Sequence, residues 1–394
     1  MKVLYLSSYF TSYVHDQINE LIKNRNIEAT VDFSQDAYCY LRSRKIREKY
    51  KHYDYSDKIP DKLWDFTLYP GFPKNMFESF NAEILFKRLF NKYKYLEIDL
   101  IHSHTIFPSG YVAMRLADKL NVPFVVSSHG VDFYRCLENV SETRDSKPYS
   151  KETIKKVKKT LRKASYVIAV SDKFGKDIKL FAPDARVKVI ENGYKKHIFY
   201  PREKTEIRKK LYFKPDVKYL ISVGNLVKTK GHIHLIKALP EIIKFEPDIK
   251  LILVGNGNEK IRLMNKLREL KLTEYVEFHD FLQPEKLAEY YSASDLFIFP
   301  SLNEAFGIAL VEAMACGLPA IATKTHGPTG IIDVNETGFI TEINSSQQIA
   351  DKVIKLLADK KLILKMSKKA ALVMPVKYGE KYSEIYEIYK ESLK

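Results

Sequence analysis

Short apolar segments alternate with longer amphipathic segments along most of the chain, and this alternation limits the folds that the sequence can adopt. The apolar segments predict strands at Val3–Ser7, Leu100–His104, Val122–Ser127, Tyr166–Val170, Val187–Ile190, Tyr219–Val223, Lys250–Val254, Val276–His279, Leu296–Phe299 and Ala320–Thr323. Apolar positions at helical spacing predict helices at Tyr13–Asn24, Gly110–Leu120, Lys151–Lys163, His232–Phe245, Lys260–Leu270 and Glu285–Ala293. Strands that alternate with helices form a parallel sheet covered on both faces. The sequence therefore predicts an α/β protein.

The length of the chain predicts two domains, because 394 residues exceed one ordinary hydrophobic core. The segment Glu191-Asn192-Gly193 and Pro201 interrupt the pattern near its middle. We predict a first domain over residues 1–200 and a second over residues 201–376. A closing amphipathic helix is predicted over residues 377–394.

The composition indicates a protein of a reducing compartment. Cys39, Cys136 and Cys316 lack the spacing of a zinc site. No apolar run reaches the ~18–20 residues of a membrane-spanning helix. The first residues, Met1–Leu6, are typical of a strand rather than of a signal peptide. We therefore expect a cytoplasmic protein.

The most informative local pattern is a strand-to-helix turn that carries two glutamates eight positions apart. The strand Leu296–Phe299 precedes a helix predicted to start near Ala305–Gly307 and to end at Cys316. The N-terminus of such a helix directs unpaired N–H groups beyond the strand, which suits a phosphate. Glu304 and Glu312 add acceptors for hydroxyl groups. Hydrogen-bond donors that suit a phosphate, next to carboxylates that accept from hydroxyl groups, indicate a site for a sugar nucleotide.

The two glutamates could also be structural or solvated. The helix around Glu312 is apolar on almost all sides, which predicts that this carboxylate is buried and needs a partner or a ligand. Glu304 lies in a loop, where it could simply face water. We favour a functional role for both residues.

The segment Glu-Ala-Phe-Gly at Glu304, with Glu-Ala-Met-Ala-Cys-Gly-Leu-Pro at Glu312, resembles the Glu-x7-Glu motif of the retaining glycosyltransferases of family 4. The resemblance extends over most of the chain. It implies the GT-B fold, an α/β architecture of two Rossmann-like, doubly wound parallel-sheet domains that face a central cleft. Residues 1–200 and the closing helix 377–394 would form the acceptor domain, and residues 201–376 the donor domain.

The resemblance also implies an activity. The protein would move a sugar, with retention of configuration, from a nucleotide diphosphate sugar to a hydroxyl acceptor. The acceptor would be a sugar, a glycolipid or a polysaccharide, and the pathway would be cell-surface polysaccharide or glycolipid synthesis.

Several donor-binding residues follow from the resemblance. Glu312 would bind the ribose hydroxyls, and Glu304 would contact the donor sugar. The amides near Phe306 and Gly307 would stabilise the leaving diphosphate. Gly255 and Leu282 would form two edges of the nucleobase pocket, with an ordinary loop as the alternative. The family therefore predicts that the site lies beyond the strand ends of the second domain.

A second motif, from Gly224 to Gly231, resembles the family pattern Gly-Arg-x4-Lys-Gly. Gly224 permits a tight turn, and Lys230 would place a compact positive charge on the diphosphate. Asn225 stands at the arginine position, so one of two expected charges is missing. Its amide could still donate hydrogen bonds to a phosphate or sugar oxygen.

In the first half, the sequence His129-Gly-Val-Asp132 resembles the family's His-Gly-x-Asp segment, whose histidine contacts the donor sugar. His129 could hydrogen-bond a sugar hydroxyl and stabilise the transition state. With Glu304 it is the predicted catalytic residue, and Asp132 would orient it. A packing role is the alternative for His129, and it is the role that we predict for His102 and His104.

The metal-binding Asp-x-Asp of GT-A transferases occurs nowhere in the sequence. We expect no metal ion and no cofactor. The nucleotide diphosphate sugar would be the co-substrate, and Lys230 and the helix terminus would stabilise the negative charge of its diphosphate. The first loop, Ser7–His15, lacks the family's glycine pair, and Gly330 stands where many relatives have glutamate.

The net charge of +16 attracts nucleic acid, anionic membranes or phosphorylated ligands. Basic segments at Arg42–Lys51, Phe86–Tyr95 and Lys151–Lys163 could be solvated, or could dock the protein peripherally on the inner face of a membrane. No nucleic-acid-binding motif appears, which argues against that partner. The alternatives left open are a GT-B sugar-nucleotide epimerase, a phosphorylase, and a non-catalytic membrane-binding or nucleic-acid-binding protein.

Overall fold

The computed structural model describes residues 1–8, 12–36, 64–70, 74–137, 148–379 and 382–394. The chain divides into two compact units. The first unit takes in most of residues 1–191 together with Lys381–Lys394, and the second contains Asn192–Glu380. The division thus follows Glu191, whereas the sequence pattern placed a boundary after residue 200.

The first unit is built on a parallel sheet. Its strands are β1 Lys2–Ser7, β2 Glu28–Asp36, β3 Trp64–Tyr69, β4 Leu100–Ser103, β5 Phe124–Ser128, β6 Tyr166–Ala169 and β7 Val187–Val189. Among the described residues, the α-helices of this unit before the C-terminal one are α1 Ser12–Arg25, α2 Lys74–Tyr93, α3 Tyr111–Leu120, α4 Val131–Tyr134, α5 Lys151–Lys163 and α6 Asp172–Phe181. Across the described residues the strand order is β3-β2-β1-β4-β5-β6-β7, and β1 lies centrally with Tyr5 opposite Val31 and His102.

The second unit repeats this architecture with a smaller parallel sheet. Its strands are β8 Lys218–Val223, β9 Ile249–Val254, β10 Val276–His279, β11 Leu296–Phe299, β12 Ala320–Thr323 and β13 Gly338–Thr341. Its helices are α7 Lys204–Lys210, α8 His232–Phe245, α9 Lys260–Glu269, α10 Pro284–Ala293, α11 Ile308–Ala315, α12 Pro328–Ile331, α13 Ser346–Leu357 and α14 Lys360–Lys377. The strand order is β10-β9-β8-β11-β12-β13. The prediction of two α/β parallel-sheet domains is confirmed.

The C-terminal helix α15, Tyr382–Ser392, packs on the first unit. Its buried residues Ile385, Ile388 and Tyr389 join the apolar core that contains Ile18 of α1. The sequence predicted one helix over residues 377–394, but α14 ends at Lys377 and α15 begins at Tyr382. The amphipathic spacing of α15 therefore serves to bury one helix face against this core.

Strand β2 was not predicted, because polar residues interrupt its apolar pattern. One of them, Asp32, is fully buried. Its carboxylate accepts hydrogen bonds from Ser34 Oγ at 2.8 Å, Thr67 Oγ1 at 2.7 Å, Lys92 Nζ at 2.8 Å and Tyr93 Oη at 2.6 Å. A buried carboxylate is tolerated only with partners of this kind. The network therefore turns a polar strand residue into part of the core.

We predict that Asp32→Ala lowers the free energy of unfolding of the first unit by about 3 kcal/mol, because it leaves buried hydroxyl groups and a lysine without their acceptor. Asp65→Ala is the matched control. Asp65 also lies 3.3 Å from Lys92 Nζ, but its side chain is 46% exposed. Its loss should cost less than about 1 kcal/mol. Urea denaturation followed by circular dichroism measures both variants, and equal losses would contradict a stabilising role for the buried network.

Candidate active site

The strand order of the second unit changes direction between β8 and β11. From β8 the chain proceeds outward to β9 and β10, and from β11 it proceeds in the opposite direction to β12 and β13. Open parallel sheets bind ligands beyond the carboxyl ends of their strands at such a switch point. We name the space between the loops that follow β8 and β11 the donor crevice. Lys230 lies in the first of these loops and Glu304 in the second.

Lys230 and Glu304 form an ion pair between the two loops. The Lys230 Nζ lies 2.5 Å from the Glu304 Oε2, and the two side chains are 24% and 15% exposed. The same Nζ lies 5.4 Å from the centroid of the Phe299 ring, at the end of β11, which is a cation–π distance. A lysine ammonium has three N–H donors. Lys230 can therefore hold Glu304 and still donate to a phosphate oxygen.

The sequence predicted that Lys230 and Glu304 belong to one site, but it assigned them to different parts of the donor and did not predict their contact. It also missed Phe299. The signal for Phe299 is its place as the last residue of an apolar strand, directly before Pro300. Ligands of open α/β sheets bind beyond the carboxyl ends of the strands, and Phe299 stands at such an end with its ring buried.

Helix α11 begins directly after Gly307, which adopts a φ of +109°. This left-handed conformation favours glycine, so Gly307 lets the loop turn sharply into the helix. The preceding residue, Phe306, is buried. The first N–H groups of α11 have no acceptors within the helix. The start of α11 can thus contribute donors at the loop that carries Glu304.

Glu312 is half-buried, which corrects the prediction of a buried carboxylate. Ile308, Ala309 and Glu312 lie on one side of α11, and all three are half-buried, while the other side packs into the core. The composition of the helix concealed this open side because two of its three residues are apolar. Burial, the larger cause, and the negative charge of Glu312 together raise the pKa of the Cys316 thiol to about 12.

The loops after β8 and β11 contact each other through their backbones. A Cβ at Gly231 would lie 2.1 Å from the carbonyl oxygen of Pro300, closer than any side chain allows. The Leu302 N–H donates to the Thr229 carbonyl oxygen at 2.7 Å across the same junction. Only glycine fits at position 231. This contact fixes the distance between the two sides of the donor crevice.

The loops after β11 and β12 are joined in the same way. A Cβ at Gly327 would lie 1.6 Å from the Phe306 carbonyl oxygen. The Gly327 N–H donates to the Glu304 carbonyl oxygen at 3.0 Å. The loop that carries Glu304 is therefore held by backbone contacts on both sides.

The other predicted donor-binding residues lie along the same carboxyl edge. A Cβ at Gly224 would lie 3.7 Å from the Lys230 side chain, and one at Gly255 would lie 2.0 Å from the Gly224 carbonyl oxygen. The structure thus brings Gly255, Gly224 and Lys230 together. Asn225 is exposed in the loop after β8, and Leu282 is half-buried after β10. A contact of Asn225 or Leu282 with a donor stays a prediction.

In the first unit, His129 follows β5 and belongs to a row of three histidine rings. The His129 ring lies parallel to that of His104, with centroids 5.9 Å apart, and His104 lies 4.4 Å from His102. His102 pairs through Nδ1 with Tyr389 Oη at 2.5 Å and through Nε2 with Ser127 Oγ at 2.8 Å. These contacts agree with the predicted packing role of His102.

Burial keeps these rings neutral. It lowers the pKa of His129 to about 3, and burial followed by the nearby His129 lowers the pKa of His102 to about 3. His129 is therefore uncharged at neutral pH, and its contact with a donor sugar stays a prediction. Asp132 was predicted to orient it. The Asp132 carboxylate accepts from the Ile106 N–H and from Ser128 Oγ, and the orienting role stays a prediction.

Two features are absent from the described ranges. These ranges contain no group of three or more histidine, cysteine, aspartate or glutamate residues that could hold a metal ion. Among the same residues, every helix is too short or too polar to cross a membrane. The basic segment Arg42–Lys51 and residues 9–11 of the first loop lie outside the described residues.

Both halves of the chain match models of glycosyltransferases. The model described as "Glycosyltransferase Family 4" matches residues 13–196, and "Glycosyl transferases group 1" matches residues 203–373. This chain belongs to the family 4-like GT-B glycosyltransferases. This match confirms the predicted family and the predicted GT-B fold.

Three similar proteins illustrate the relationship. N-acetyl-alpha-D-glucosaminyl L-malate synthase of Bacillus anthracis is 27% identical over 69% of each chain. Alpha-monoglucosyldiacylglycerol synthase of Acholeplasma laidlawii is 24% identical over 77% of this chain and 78% of its own length. Anabaena HepE, solved in complex with UDP-glucose, is 21% identical with a TM-score of 0.75, covering 100% of this chain and 99% of HepE. HepE shares the fold.

We predict that Gly327→Ala lowers the Tm of the glycosyltransferase by several degrees, because the new methyl group must displace the Phe306 carbonyl and the loop that carries Glu304. Gly330→Ala is the matched control in the same short helix, since a Cβ there meets no atom within 4 Å. It should leave the Tm unchanged or slightly raised. Thermal unfolding measures both variants. Equal Tm values for Gly327→Ala and the unaltered chain would show that the loops are not held by this contact.

Proposed function

We propose that this glycosyltransferase transfers a sugar from a nucleotide diphosphate sugar to a hydroxyl acceptor with retention of configuration. The observation that carries the proposal is the Lys230–Glu304 ion pair at the switch point of the second sheet. It brings a cation and a carboxylate together where a diphosphate and its sugar would lie side by side. Sugar transfer from a nucleotide diphosphate sugar needs the cation and the carboxylate close enough together to contact the same donor molecule.

The roles of the residues follow from their chemistry. The remaining Lys230 N–H donors and the first N–H groups of α11 would bind the diphosphate and stabilise the charge that develops as it leaves. Glu304, held in place by Lys230, would accept hydrogen bonds from sugar hydroxyls. Glu312, on the open side of α11, would accept from the ribose hydroxyls. His129, kept neutral by burial, would hydrogen-bond a sugar hydroxyl.

The bond changes of the proposed reaction balance without a further reagent. The acceptor oxygen forms a bond to the anomeric carbon, and the bond from that carbon to the diphosphate oxygen breaks. The acceptor proton passes to the departing diphosphate. Lys230 would stabilise the diphosphate throughout, because its charge would lie next to the breaking bond.

The relatives suggest which substrates to test first. HepE was solved with UDP-glucose, so UDP-glucose is the first donor probe. The Acholeplasma relative is named for a glucosylated diacylglycerol, which supports a glycolipid acceptor at a membrane surface. The exposed Lys151, Lys155, Lys159 and Arg162 of α5 support peripheral binding to anionic lipid. A polysaccharide acceptor is the second candidate.

We predict that Lys230→Ala and Glu312→Ala each lower the transfer rate at least about ten-fold, which corresponds to about 1.4 kcal/mol of transition-state stabilisation. Lys244→Ala and Glu285→Ala are the charge-matched controls, because both residues are exposed on helices of the same unit. Transfer from a panel of nucleotide sugars to lipid and saccharide acceptors is followed by mass spectrometry. Unaltered rates in the first two variants would remove these residues from the site. Conversion of the donor without an acceptor would indicate an epimerase instead.

We also predict that EDTA leaves the transfer rate within about two-fold of its starting value, because Lys230 and the start of α11 would meet the diphosphate charge without a divalent ion. Proton NMR of the first product should show the anomeric configuration of the donor. Readdition of Mg²⁺ or Mn²⁺ to the EDTA-treated protein is the control. A rate abolished by EDTA and restored by the metal would contradict metal independence, and an inverted product would contradict retention.

A further inference from the structure

A pocket of about 260 Å³ lies in the second unit, beside the loop after β8. None of the predicted donor-binding residues lines it. The start of α8, the start of α9 and the loops after β8, β11 and β13 form its walls. The lining residues that matter here are Lys228, His232, His234, Lys237, Glu259 and Arg262.

The pocket contains the N-terminus of a long helix. Helix α8 has 14 residues, and its N-cap is Gly231, which provides no side-chain cap. The first N–H groups of a helix lack intrahelical acceptors and carry its positive dipole end. His232, Ile233 and His234 form this first turn and line the pocket. The His234 N–H already donates to the Gly231 carbonyl oxygen at 2.9 Å, so the donors that this turn can present to a ligand in the pocket are the N–H groups of His232 and Ile233.

Side chains add positive charge around the same turn. Lys228, Lys237 and Arg262 are exposed and line the pocket. The one carboxylate in its lining belongs to Glu259, and its Oε2 lies 2.8 Å from Arg262 Nη1. The cations act together on His234, because burial and then the charges of Lys237 and Arg262 lower its pKa. Cations thus outnumber the single acid at this helix terminus.

A buried histidine in the wall has one ring nitrogen without a hydrogen-bond partner among the described residues. His232 is only 3% exposed. Among the residues that the structure describes, none pairs with its buried Nδ1. An unsatisfied buried polar group costs about 1–3 kcal/mol. A ligand oxygen in the pocket would remove this cost by accepting a hydrogen bond from the imidazole N–H.

We propose that this pocket is a second anion site, which binds the phosphate group of a small organic phosphate monoester. Uncapped helix N–H groups, three cations and an unsatisfied histidine meet there. The pocket volume of about 260 Å³ exceeds the needs of a phosphate group alone. Ile233, Leu263 and Leu302 provide an apolar wall for the organic part. The site stands apart from sugar transfer, so it does not rest on the proposed function.

The test is a titration observed at the histidines. The chain contains 10 histidines, and NMR of protein with isotope-labelled histidine can resolve His232 and His234. Glycerol 3-phosphate is the probe, and glycerol and inorganic phosphate are the comparators. We expect glycerol 3-phosphate to shift both resonances saturably, inorganic phosphate to bind about ten-fold more weakly, and glycerol to cause no shift.

Variants locate the site. Lys237→Gln and Arg262→Gln should each weaken glycerol 3-phosphate binding about ten-fold, because each loses a charge-assisted contact. Lys244→Gln, at the other end of α8 and also exposed, is the matched control and should bind normally. Lys230→Ala removes the cation of the donor crevice and should leave the binding intact. All four positions are exposed or partly exposed, so we expect the variants to fold.

Several results would overturn the proposal. The absence of a saturable shift at His232 and His234 in the unaltered protein would do so without any variant. Binding lost in Lys230→Ala but kept in Lys237→Gln and Arg262→Gln would place the phosphate in the donor crevice. Equal weakening by Lys244→Gln would indicate non-specific attraction to a basic surface. Equal affinity for inorganic phosphate would mean an adventitious ion only.

Discussion

Backbone contact between neighbouring loops is the constraint on which the candidate active site depends. Gly231 meets the Pro300 carbonyl and Gly327 meets the Phe306 carbonyl at distances that exclude a Cβ. Because these contacts involve backbone rather than flexible side chains, the loops have little freedom to separate. The ion pair between Lys230 and Glu304 is a consequence of this arrangement as much as a cause of it. A site built on such contacts is pre-organised before any ligand binds.

In the first unit, buried polar groups with hydrogen-bonding partners constrain the structure. Asp32 and His102 are both fully buried, and each is surrounded by hydrogen-bonding partners. Burial also keeps the histidine row neutral, which avoids the much larger cost of a buried charge. Such groups fix the sheet in one register, since a shifted strand would leave them unpaired. This is why polar residues occur in strands that would otherwise be apolar.

The sequence predicted much of the fold because most of the predicted strands are short, apolar and largely buried. The bounds of β10, β11 and β12, and of α5 and α8, agree with the predicted ranges. The missed strand β2 carries Asp32, and three of its four named partners, Thr67, Lys92 and Tyr93, come from other segments and cannot be read locally. The sequence likewise placed Lys230 and Glu304 in one site through family resemblance. Their contact joins residues 74 positions apart, which only the tertiary structure brings together.

The prediction that Glu312 is buried was wrong because the exposure of a helix side depends on the elements that pack against it. The residues of the helix alone do not contain this information. Composition describes α11 as apolar, and the packing of its neighbours leaves a stripe open at Ile308, Ala309 and Glu312. A carboxylate on an open stripe beside a buried core is poised to meet a ligand without being isolated from water. The corrected position therefore fits a ligand contact better than full burial would.

The positive charge of the second unit is divided between two sides of one loop. Asn225 removes a cation that the family pattern would place on the donor side, and Lys230 is partly neutralised there by Glu304. On the other side of Gly231, the Lys230 charge still reaches the start of α8, where, after burial, it helps to lower the pKa of His232 to about 3. Burial is the larger cause of this pKa shift, so the shift by itself does not show that the start of α8 attracts anions. The cations proposed to bind phosphate at the start of α8 are therefore Lys228, Lys237 and Arg262, which line the pocket, and not Lys230.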